Sequence, residues 1–83
     1  MLTLPTVHLN GTSRTDLFNA ISVALDALAE ARVALQATAP NGRDYYPQGE
    51  MAIRQATAEH VARLRMLETV YAELYAVAEH VQP

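Results

Sequence analysis

Two short stretches of this chain hold most of its side chains that could do chemistry. The first is His8, Asn10, Thr12, Ser13 and Arg14; the second is Asn41, Arg43, Asp44, Tyr45, Tyr46 and Gln48. Each combines a turn glycine with amides, hydroxyls and an arginine. Arginine and the free N–H groups at a helix start hold phosphate, an aromatic ring stacks on a base, and an amide reads its edge. The mixture suits a small anion carrying a base or a ribose. His60 is a further candidate. With Thr57 it occupies an otherwise apolar helix position, either as a hydrogen-bonded layer that fixes register or where the helices open into a pocket beneath the second stretch.

Catalysis is poorly served by comparison. No nucleophile motif links a serine to a histidine and an aspartate. Glu59-His60 lacks the second histidine of a zinc-protease helix. His8, His60 and His80 show no ligand spacing, and there is no cysteine. The expectation is a binding protein rather than an enzyme, with no metal and no cofactor.

The charge balance narrows the partners. Net charge is −3, which argues against a duplex nucleic-acid binder, since that needs a basic face to displace counterions. All six basic residues are arginine. GC-rich coding accounts for this, and for the abundant alanine, without removing what single arginines can do. No run approaches a membrane span and no basic-then-apolar leader opens the sequence. A cytoplasmic protein without a membrane partner is expected.

The elements that position the two stretches follow from spacing. Residues 40–49 hold two prolines, two glycines and an Asn-Gly pair, which no helix runs through. Before them, Leu17, Ile21, Ala24, Leu28, Ala31 and Leu35 recur at four and three, a coiled-coil-type seam. After them, Ile53, Thr57, His60, Leu64, Leu67, Tyr71, Leu74, Ala78 and Val81 do the same. Ser13 or Thr12 is an N-cap, with Asp16 in the capping-box position. Glu50/Arg54 and Glu59/Arg63 stand at the favourable four-residue spacing. Residues 2–9 alternate apolar and polar and carry Pro5, which reads as an extended arm or an edge strand.

The reading is one all-α domain, residues 1–83: arm 1–11, helix one 12–39, loop 40–49, helix two 50–81, folded as an antiparallel two-helix hairpin. Met66, Val70 and Val77, with Tyr75 beside them, widen helix two's apolar surface beyond what one partner helix covers. A chain this short is marginal alone, so the spacing predicts a hairpin completed by homo-oligomerisation, a dimeric four-helix bundle in the simplest case. One subunit's first stretch could then meet another's loop.

The segments Val7-His8-Leu9-Asn10-Gly11-Thr12-Ser13 and Ala39 to Gly49 (Ala-Pro-Asn-Gly-Arg-Asp-Tyr-Tyr-Pro-Gln-Gly) resemble those of a group of small temperate-phage and prophage proteins. The likeness extends over nearly the whole chain, including Ala58-Glu59-His60. That group carries no assigned activity, so the resemblance implies a setting, an infected bacterial host. The layout of arm and hairpin is similar to phage-encoded sponge proteins, which assemble as helical oligomers and sequester nucleotide immune signals. This second likeness is one of architecture, and no binding residue is transferred by it. It implies a counter-defence protein binding a cyclic-nucleotide or ADP-ribose-type ligand without turnover. The alternative is a helical adaptor or structural protein that binds a phage or host protein through its apolar face.

Overall fold

A computed structural model describes residues 1–83. It contains two long helices, α1 (Arg14–Gln36) and α2 (Glu50–Val81), and no strand. Arg14 of α1 bonds to His80 of α2, and Arg32 pairs with Glu68. Contacts that run in opposite chain directions make the pair an antiparallel hairpin, 61 × 24 × 16 Å.

Ser13 caps α1, its Oγ accepting from the Asp16 N–H at 3.1 Å. At the other end α1 stops at Gln36 rather than near residue 39. The Thr38 hydroxyl donates to the Leu35 carbonyl at 2.7 Å, and the Thr38 and Ala39 N–H groups turn back onto Leu35 and Gln36. Pro40 adds the reason, because the residue before a proline is driven out of helical backbone. Two 3₁₀ turns follow, Gly42–Asp44 and Tyr46–Gln48. Gly49, at φ 98° and ψ 166°, then starts α2 in a backbone region that is essentially closed to residues with a Cβ.

The seam is the expected one with local shifts. Leu17, Ile21, Ala24, Leu28 and Leu35 face Ile53, His60, Leu64, Leu67, Leu74, Ala78 and Val81. Thr57 does not belong to it. That residue is exposed and its hydroxyl donates to the Ile53 carbonyl of its own helix at 2.8 Å, while Ala56 is buried in its stead. Ala31 is likewise exposed. Ala56 keeps the three-and-four spacing to Ile53 and His60 as well as Thr57 does, and the apolar side chain takes the buried place. Tyr75 also departs from expectation. It stacks on Tyr71, ring centroids 6.4 Å apart, about 140° around the helix from Val70. Of the two charge pairs expected on α2, Glu59–Arg63 forms at 3.9 Å; Glu50 and Arg54 do not pair.

The core is thin. Ala56, Ala78 and Val81 are the only buried apolar residues, and only Val81 is wholly out of water. Two helices side by side cover one flank of each other, which leaves Val23, Val33, Met66, Val70 and Tyr75 substantially exposed. The arm forms no strand, having no strand to pair with. It is tied instead at Pro5, whose carbonyl accepts from Nε2 of His80 at 2.8 Å, with Pro5 and Val7 half-buried and Leu9 exposed. No helix is long and apolar enough to cross a membrane.

Candidate ligand-binding site

The first polar stretch lies at the open end of the hairpin, where α1 begins and α2 ends. Two of its five side chains, Ser13 and Arg14, are used there by the fold. The Ser13 hydroxyl oxygen is taken by the helix cap. Arg14 Nη1 donates to the His80 carbonyl at 3.3 Å, one of the carbonyls a helix C-terminus leaves without an intrahelical partner. His80 passes the connection on to Pro5, which fixes its proton on Nε2. The Gly11 N–H donates to the His8 carbonyl at 3.1 Å, closing a turn. Over that turn lies the His8 ring, so near that a Cβ on Gly11 would stand 2.9 Å from Nε2. Asn10 and Thr12 are exposed with no side-chain hydrogen bond.

The second stretch lies at the closed end. Here Asn41 is fully occupied: its Oδ1 accepts from the Asp44 N–H at 3.2 Å, and its Nδ2 donates to Asp44 Oδ2 at 3.0 Å. This double link braces the first 3₁₀ turn. Tyr45 is half-buried beside Gln48, Ala52, Gln55, Ala56 and Glu59, around a shallow recess of about 170 Å³. Tyr46 is 76% exposed. Arg43 is exposed and makes neither an ion pair nor a hydrogen bond. Arg54 and Arg65 are unpaired too, but they stand on α2 rather than on the turn.

His60 fits neither of the roles expected for it. It is buried at 6% exposure, yet it does not bond to Thr57, and it does not line the recess under Tyr45. No buried polar atom of the chain lacks a partner, so the ring nitrogens keep a path to solvent at the edge of the seam. His60 is a packing residue of the hairpin.

The two stretches are not brought together within one chain. They are separated by the length of α1, roughly 35 Å. Within the closed end, the structure joins a braced turn to three side chains with spare capacity: Arg43, Tyr46 and Gln48. Such a surface can hold an anion with a planar group, the guanidinium taking the charge and the ring taking the plane.

One feature escaped the sequence. A groove of about 530 Å³ runs between the helices, with Leu28, Ala29 and Val33 on one wall and Leu67 and Tyr71 on the other. The Arg32–Glu68 ion pair, 3.3 Å long, spans it. The small side chain of Ala29 among larger neighbours was the signal available. The chain matches no protein-family model, no curated protein and no solved structure.

Proposed function

We propose that this chain is the subunit of a helical homo-oligomer that captures a small nucleotide-derived anion at its inter-helix turn and holds it without turning it over. In an infected bacterial cytoplasm such a protein acts as a sponge, lowering the free concentration of a cyclic-nucleotide or ADP-ribose-type immune signal. The supporting observation is Arg43: an arginine with no partner, three residues before an exposed tyrosine, on a turn braced by Asn41 and Asp44. Arg43 takes phosphate through its N–H fork, and Tyr46 stacks on the base, a contact worth about 1–3 kcal/mol. In an antiparallel pair of subunits the free Asn10 and Thr12 of one copy come up to the turn of the other, so a site between subunits draws on both stretches.

Calorimetry of the whole protein against a panel of cyclic di- and trinucleotides and cyclic ADP-ribose tests this. Binding to at least one member is expected, with loss of roughly ten-fold or more in affinity for Arg43→Ala, equivalent to about 1.4 kcal/mol, at unchanged helicity and size. Failure of the wild type to bind any member of the panel overturns the reading.

Met66 and Val70, exposed on the opposite flank of α2, favour a second reading, an adaptor that docks on a phage or host protein. Its mark is a specific protein recovered from infected cells with the wild type and lost with Val70→Glu, in a variant whose oligomer size is unchanged.

A further inference from the structure

We infer that the groove on the Tyr71–Tyr75 side of the hairpin is filled by a second copy of this chain, the two copies packing groove to groove as a four-helix bundle. This rests on the homo-oligomer in the reading above and names the face that forms it.

Surface area is the first observation. A folded monomer of 9.1 kDa exposes about 4,900 Å². This chain exposes 6350 Å², roughly 1,450 Å² more than that expectation. If each of two copies buries that excess, the interface totals roughly 2,900 Å², inside the range of about 2,000–5,000 Å² found for obligate homodimers. A single peptide or a small ligand would cover far less.

The shape of the surface then selects the face. The groove beside Leu28, Val33 and Leu67 meets a second hollow lined by Phe18, Leu25 and Tyr75, the junction being the Tyr71–Tyr75 stack. Together they line most of α1 with walls from both helices and the two tyrosine rings on the α2 side, the composition that interface centres favour. Side chains of a partner helix fit a trough by packing into its gaps. The remaining hollow of the molecule lies under Tyr45 and Gln48 and is confined to the turn. Charge is compatible with a like copy: charged residues line the trough only to either side of the tyrosine stack, Arg32 and Glu68 neutralising each other on one side and Glu79 standing unpaired on the other. Two such faces therefore meet without an unpaired like charge at the centre.

The chain has no cysteine, so a single introduced thiol reports directly on this face. Val33 is 67% exposed and Val70 47% exposed in the single chain. The first lines the groove and the second lies on the opposite flank. With Val33→Cys and Val70→Cys made separately in the native oligomer, an uncharged maleimide is expected to label position 33 at least roughly ten-fold more slowly than position 70, the difference vanishing in denaturant. Sedimentation of the wild type and both variants is run alongside. An oligomer in which position 33 labels as fast as position 70 overturns the groove assignment and leaves the homo-oligomer standing. A wild type that sediments as a monomer at the labelling concentration overturns both, while its nucleotide binding is still read separately by calorimetry.

Discussion

At the open end of the hairpin, Ser13, Arg14 and His80 each reach a backbone group, and the arm is held by the last of them. At the closed end, Asn41 and Asp44 hold each other while Arg43, Tyr46 and Gln48 reach nothing. The two ends draw on the same residue types. What differs is how much bonding capacity remains after the fold has taken its share. The open end spends its arginine on tying two chain segments together. The closed end braces itself with an amide and a carboxylate and keeps its arginine free. Both ends keep a surplus, Asn10 and Thr12 at one and Arg43, Tyr46 and Gln48 at the other, but only the closed end keeps a free arginine on the same turn as an exposed aromatic ring.

The largest test of that contrast concerns the glycines. Gly49→Ala forces a side chain into φ 98°, ψ 166° and is expected to cost about 1–3 kcal/mol. Thermal unfolding reads this as a drop of roughly 4–8 °C for each kcal/mol. Gly11→Ala meets only the His8 ring, which is exposed and can swing aside, so the loss there is expected to stay under about 0.5 kcal/mol. Equal losses would mean that the closed end is no more rigidly held than the open one.

The arginines give the next effect. Arg14→Ala removes a hydrogen bond to a helix-end carbonyl and is expected to lower stability by about 0.5–1 kcal/mol, read by urea titration. Arg43→Ala is expected to leave the midpoint unchanged. Should Arg43→Ala prove the more destabilising, the turn arginine is structural and the contrast collapses. The smallest effect belongs to Glu68→Gln. In the isolated chain Arg32 and Glu68 are both about half exposed, so breaking the pair is expected to cost the monomer at most about 0.5 kcal/mol at low salt, and less still in concentrated salt.

Much of this architecture was legible in the sequence. The α2 boundaries coincide with the last wide apolar seam, and Gly49 and Pro47 mark its start. Ser13 and Asp16 announced the α1 cap. The seam position between Ile53 and His60 was less legible, because Ala56 and Thr57 are adjacent in the chain and each keeps a three-and-four spacing to its neighbours on the seam. The last turn of α1 was misjudged for a local reason, the Thr38 hydroxyl and Pro40 working together. The polar stretches were identified by type alone. Residue type cannot tell that Arg14 is consumed by a carbonyl 66 positions away while Arg43 is not, since that depends on where the two helix ends meet. The same holds for His60, polar by type and a packing residue by place.

The tie between Pro5 and His80 joins residues 75 apart in the chain, whereas the bonds bracing residues 41–49 each span three. Bringing ends together costs entropy that rises with the length of chain enclosed, so local turns form early and distant ties wait. The hairpin is therefore expected to zip from the turn outward, α2 laying itself against α1 one seam layer at a time. Arm closure over the open end comes last in assembly and is the first contact to release when the molecule breathes. Val81, the one side chain fully withdrawn from water, sits at that end. The best-buried residue of this protein is thus a finishing contact, and the order of folding is set by the turn that carries Arg43.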